Sequence, residues 1–97
     1  SIIAFQLDHA MSRIVIVDRE IMPLMQEALA LASVNPMLIQ YDDAEFTGPE
    51  IQVEAHDFEA FLSGGDADFA WLMPEDEWDA ISINYTYGNT CDPKGVV

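Results

Sequence analysis

The chain is short of positive charge. Its 97 residues hold three Lys and Arg against 18 Asp and Glu, a formal net charge of −15 at pH 7. Nucleic acid is therefore excluded as a partner class, because affinity there comes from neutralising phosphates with Lys and Arg. An anionic membrane surface is disfavoured for the same reason. Only one cysteine is present, Cys91, so no internal disulfide can form and a small stapled fold is excluded. No apolar run approaches the roughly 20 residues that cross a bilayer, and no transmembrane segment is expected. The first ten residues lack the basic start and small-residue cleavage site of a signal peptide, so a cytoplasmic setting is the expectation.

What the chain does have is a globular composition, 51% hydrophobic and 22% charged, at a length that suits one domain. Residues 2–10 read as a helix. The run Arg13-Ile-Val-Ile-Val17 is continuous, apolar and β-branched, the pattern of a parallel strand buried on both faces. Asp18 can cap the element after it, and Ile21, Leu24, Ala28 and Leu31 fall on one helical face. Pro23 is tolerated in a first turn, and Asn35-Pro36 stops the helix. Residues 37–41 form a second apolar run. The order helix, strand, helix, strand predicts an α/β fold, a partial and mostly parallel sheet with flanking helices.

Farther on the pattern loosens. Thr47-Gly48-Pro49 is a turn, residues 51–53 suit a short strand, and residues 57–62 suit a brief helix ended by Gly64-Gly65. Residues 66–79 form an acidic loop carrying Phe69, Trp71 and Trp78, whose expected job is to pin that loop against the sheet. Residues 79–85 alternate as a strand does. The chain stops as an apolar segment begins at Gly95, and both ends are expected to be cut from a larger domain.

Several residues invite sharper readings that the sequence does not sustain. The acidic runs 42–45 and 75–79 lack the ligand spacing and central glycine of a calcium loop and read as solvated faces. His56 beside Asp57 has no second His or Cys nearby, so no metal site is expected. Cys91 near Lys94 would need a placed base to act as a nucleophile, and neither His9 nor His56 has a sequence relation to it, so no catalytic residue is assigned.

The chemistry concentrates after the last strand, in Thr86-Tyr-Gly-Asn-Thr-Cys-Asp-Pro-Lys94-Gly95. Lys94 is the only Lys or Arg after Arg19, and 16 acids lie from position 20 to 93. Backbone N–H groups, hydroxyls and one ammonium suit a polyphosphate. The spacing is not that of a Walker A loop. An ordinary surface turn with a solvated Lys94 is the competing reading.

The run Asn84-Tyr-Thr-Tyr-Gly-Asn-Thr-Cys-Asp-Pro-Lys-Gly-Val-Val97 resembles the phosphate-binding signature of AMP-forming adenylating enzymes, usually Tyr-Thr-Ser-Gly-Thr-Thr-Gly-x-Pro-Lys-Gly-Val. Residues 65–81, and residues 2–34 with Ile-Val-Asp-Arg-Glu at 16–20, are similar to the medium-chain acyl-CoA synthetase branch. The resemblance implies that residues 1–97 are part of the large N-terminal AMP-binding domain, ending at the phosphate-binding loop. It implies a ligase that joins ATP and a fatty or related carboxylic acid to an acyl-adenylate, then forms the thioester with coenzyme A. ATP, Mg2+ and coenzyme A would serve the full enzyme, with the carboxylic acid and the remainder of the synthetase chain as partners. The phosphate-binding residues it implies are Thr86, Tyr87, Gly88, Asn89, Thr90, Cys91, Pro93 and Lys94.

Of these, Tyr87, Asn89 and Cys91 depart from the usual serine, threonine and glycine. A cysteine where glycine takes φ > 0 costs on the order of 1 kcal/mol. The family's later elements lie outside these residues, so the 97-residue chain alone is expected to be inactive. The alternative is a non-catalytic acidic interaction module, or a decayed copy that kept the fold and lost the loop.

Overall fold

The structure is a computed structural model, and it describes residues 1–86 and 92–97. The chain forms two compact units, residues 1–65 and residues 66–97. The first unit runs α1 (Ile2–His9), β1 (Ile14–Asp18), a 3-10 turn (Arg19–Ile21), α2 (Met22–Leu31), β2 (Met37–Tyr41), β3 (His56–Asp57) and α3 (Phe58–Ser63). The second contains β4 (Asn84–Thr86) and β5 (Lys94–Val96).

β1 and β2 pair in parallel over five residues, from Ile14 opposite Met37 to Asp18 opposite Tyr41. β3 adds to the far side of β2, also parallel, with Ile39 opposite His56. This is the parallel α/β arrangement that the sequence predicts, with α2 as the crossover that a parallel pair requires. The short strand expected at 51–53 is not formed. Val53 and Ala55 instead pack against the core, and the two residues that pair with β2 are His56 and Asp57.

α1 ends in a reciprocal pair of backbone bonds. Met11 N–H donates to the Asp8 carbonyl at 3.1 Å, and Ser12 N–H to that of Leu7 at 3.0 Å. That closure needs a left-handed residue, usually glycine, and here Met11 supplies it at φ 50°. The Asp8 carboxylate then accepts from Ser33 N–H at 2.8 Å and Val34 N–H at 3.0 Å, tying α1 to the segment between α2 and β2.

The core lies on one side of the sheet, where Leu7, Val17, Met22 and Met25 are buried with Val15 and Leu38 packed around them. The helical face predicted for α2 is therefore rotated. Met22, Met25 and Ala28 are buried, whereas Leu24 is 50% exposed and Ile21 and Leu31 are exposed as well. The 3-10 turn before α2 sets this phase. Asp18 Oδ1 accepts from Glu20 N–H at 2.9 Å, so the capping expected of Asp18 occurs, but α2 itself begins only at Met22.

β1 also departs from the reading of a strand buried on both faces. Val17 is buried, but Ile14 and Ile16 are 52% and 59% exposed, because helices α1 and α2 cover only the side that Val15 and Val17 face. On the other side Ile39 is fully buried, and Phe58 of α3 meets the Tyr41 ring edge-on at 5.4 Å.

One cation organises the connection after β2. Arg19 Nη2 donates to the Phe46 carbonyl at 2.7 Å, and its guanidinium carbon lies 4.8 Å from the centre of the Phe46 ring. Arg19 Nε sits 2.8 Å from Asp42 Oδ1 as an ion contact outside hydrogen-bond alignment. Gly48 lies against the same ring, where any Cβ would collide with Phe46.

The corrected helix phase has a direct test. Met22→Ala should cost about 2–4 kcal/mol of unfolding free energy by leaving a core cavity, while Leu24→Ala should cost under about 1 kcal/mol. Urea unfolding of the two variants measures both, and equal losses would contradict the burial described.

Candidate functional site

Two of the residues that carry the phosphate-binding reading, Thr86 and Lys94, lie in an antiparallel pair. Asn84 lies opposite Val96, Tyr85 opposite Gly95, and Thr86 opposite Lys94. The strand expected over 79–85 is shorter and later than predicted, Asn84–Thr86, because those are the residues that find ladder partners in β5. The apolar stretch noted at Gly95 is the return strand Lys94–Val96. Thus the pairing here is antiparallel, unlike that of the first unit.

The pairing brings two of the predicted residues together. Thr86 and Lys94 are cross-strand neighbours, both exposed, and Pro93 is half-buried beside Lys94. A hydroxyl donor and an ammonium at adjacent positions form a donor set suited to a phosphate oxygen. Tyr87, Gly88, Asn89, Thr90 and Cys91 lie outside the described residues.

Gly95 has a packing reason to lack a side chain. A Cβ there would lie 2.5 Å from Ile83 Cδ1 and 3.0 Å from Ile83 Cγ1. Ile83 thus crosses the return strand where glycine leaves room. Sequence reasoning assigned Gly95 no role, and the signal for it, an apolar residue one step ahead of β4, is legible only once the register is known.

The remaining sequence candidates resolve into local structure. Asp43 Oδ1 accepts from Glu45 N–H and Asp76 Oδ1 from Trp78 N–H, at 2.9 and 3.0 Å, so each acidic run closes a turn of its own backbone. Asp57 caps α3 by accepting from Ala60 N–H at 2.9 Å. His56 is exposed and borders an open groove of about 380 Å³ with Asn35, Pro36, Met37, Leu38 and Glu54. Among the described residues, no three His, Cys, Asp or Glu side chains gather as a metal site. No helix of the described residues is long and apolar enough to cross a membrane. Trp71 and Trp78, expected to be packed, are 90% and 93% exposed.

The chain presents an α/β unit and, later in the sequence, an antiparallel strand pair carrying a hydroxyl and a lysine, and sequence comparison places that combination. The chain is 40% identical over 109 residues to an acetate–CoA ligase of Humulus lupulus, an alignment that covers all of this chain and 19% of the relative. It is 35% identical over 106 residues to an acetate/butyrate–CoA ligase of Arabidopsis thaliana named as peroxisomal, covering 98% of this chain and 19% of that protein. A 2-methylpropanoate–CoA ligase of Humulus lupulus is 36% identical over 102 residues, covering 98% and 18%. No family model matches the chain, and no solved structure matches it.

The chain belongs to the acyl-activating enzymes, the AMP-binding family of CoA ligases. It spans about a fifth of the length of the curated relatives it matches.

The cross-strand packing gives a second test. Gly95→Val should force Ile83 aside and weaken the β4–β5 pair by on the order of 1–3 kcal/mol, and Gly95→Ala by less, because the end of the Ile83 side chain can turn away. Amide hydrogen exchange at residues 84–86 and 94–96 reads this as faster exchange in the valine variant. Unchanged exchange would mean that Ile83 does not cross Gly95.

Proposed function

We propose that this chain is the part of an AMP-forming acyl-CoA synthetase that supplies the ATP phosphate-binding loop, within a partial AMP-binding domain at residues 1–97. The observation that carries the proposal is the antiparallel register that sets Thr86 opposite Lys94 at the two ends of the signature-like run. The similarity to named CoA ligases over the whole chain supports it.

In this reading Thr86, Tyr87, Gly88, Asn89, Thr90, Cys91, Pro93 and Lys94 hold the ATP phosphates. Lys94 offsets charge, and the hydroxyls of Thr86 and Thr90 donate to phosphate oxygens. With a net charge of −15 the chain itself repels a polyanion, so Lys94 and the Mg2+ that accompanies ATP carry the local attraction. The full polypeptide would use ATP, a carboxylic acid and coenzyme A. Acetate, butyrate and 2-methylpropanoate stand in the names of the relatives, so short aliphatic acids are the substrates to try first. A cytoplasmic location is proposed from the sequence, and the peroxisome, which stands in the name of the Arabidopsis relative, is the competing address.

Lys94→Ala in the full polypeptide should weaken Mg·ATP binding about ten- to a hundred-fold, the worth of one charge-assisted contact. Equilibrium titration measures it, and unchanged affinity would remove Lys94 from the site. Restoring Tyr87→Ser, Asn89→Thr and Cys91→Gly together should raise Mg·ATP affinity if the loop binds phosphate. No gain from the restored loop, with no loss from Lys94→Ala, would favour the non-catalytic acidic module.

A further inference from the structure

We infer that residues 43–50 are a separately opening flap at the carboxyl end of the β1–β2 pair, and that Arg19 is the latch that holds it shut. All the contacts that carry this lie within residues 1–65, so it stands apart from the synthetase reading.

Between β2 and β3 the chain runs through residues 42–55 without a helix or strand, and packing against the core resumes at Val53 and Ala55. The turn inside the segment is local. Phe46 N–H donates to the Asp43 carbonyl at 3.1 Å, and Glu45 N–H to Asp43 Oδ1 at 2.9 Å. One charge-assisted bond joins residues 43–50 back to the end of β1, from Arg19 Nη2 to the Phe46 carbonyl at 2.7 Å. Asp42, at the root of the segment, holds the same guanidinium at Nε.

The ring and the charges make this a latch. Phe46 lies against the guanidinium, 4.8 Å from its centroid to the Arg19 carbon, and a Cβ at Gly48 would overlap the end of that ring. Glycine at position 48 therefore leaves the ring its place beside Arg19. The Arg19 side chain is 13% exposed, so its contacts are shielded from water and worth more than those of a surface pair. Residues 42–54 carry Asp42, Asp43, Glu45, Glu50 and Glu54 and no Lys, Arg or His. Like charges push the segment outward, and Arg19 supplies the offset. Few buried contacts and one cationic anchor are what let a segment open while the strands beneath it stay paired.

Native-state cleavage of the intact polypeptide by a glutamate-specific protease reads the flap, because Glu45 and Glu50 lie in it. Arg19→Gln should raise the rate of cleavage after these two residues about ten-fold, the worth of one charge-assisted bond, since slow cleavage tracks the open population. Gly48→Ala keeps Arg19 and Asp42 but pushes the Phe46 ring away, and should raise cleavage at the same places. Amide exchange across residues 14–18 and 37–41 should stay within about two-fold of the parent in both variants. If Arg19→Gln does not fold, Gly48→Ala decides alone. Unchanged cleavage would overturn the latch. Exchange in β1 and β2 that rises in step with cleavage would overturn the flap, because Arg19 would then support the sheet as a whole.

Discussion

A scarcity of cations governs how this chain is held together. With 18 acids and three bases, ion pairing cannot neutralise the carboxylates. They turn to backbone N–H groups instead. Asp8 holds Ser33 and Val34, Asp18 opens the 3-10 turn, Asp43, Asp66 and Asp76 close turns, and Asp57 caps α3. Each such bond joins an ionised acceptor to a backbone donor, stronger than a neutral pair and independent of any lysine. The bases that remain are placed where nothing else serves. Arg19 gathers Asp42, the Phe46 carbonyl and the Phe46 ring, so that a single guanidinium shapes the connection after β2.

That economy frames the site. The proposed phosphate-binding loop would work against the long-range field of a chain this negative, and Lys94 is the lone Lys or Arg after Arg19. The antiparallel register sets it beside Thr86 rather than leaving it on a free terminus. Gly95 makes the register possible by leaving room for Ile83. The glycine thus has a packing reason to stand where it does, and the proposed roles of the hydroxyl and the lysine are bonding and charge.

The parallel half of the fold was legible because its signals are local and redundant. Two β-branched or aliphatic runs flanking a helix-length segment leave few arrangements, and β1, α2 and β2 form where the pattern puts them. The phase of α2 was not legible, since the turn Arg19–Ile21 delays the helix and rotates Met22 and Met25 inward in place of Leu24. The exposed side of β1 was missed for a different reason. A continuous apolar run reports that a strand is suited to burial on both faces, not that the residues in hand supply both coverings. The aromatics of residues 66–81 mislead in the same way, as ring size predicts burial without naming the surface that provides it. At the site, Thr86, Pro93 and Lys94 could be picked from residue type, whereas their pairing depends on β5, three residues whose strand character comes from the partner. Tyr87, Gly88, Asn89, Thr90 and Cys91 lie outside the described residues, so their part in the site remains a proposal.

The central claim is that this segment serves an enzyme that activates a short carboxylic acid with ATP. Exchange of labelled pyrophosphate into ATP by the intact polypeptide, in the presence of Mg2+ and acetate, butyrate or 2-methylpropanoate, tests it most directly. The account predicts exchange that depends on the acid and on Mg2+. Intact, folded polypeptide that shows no acid-dependent exchange with any of the three would contradict it.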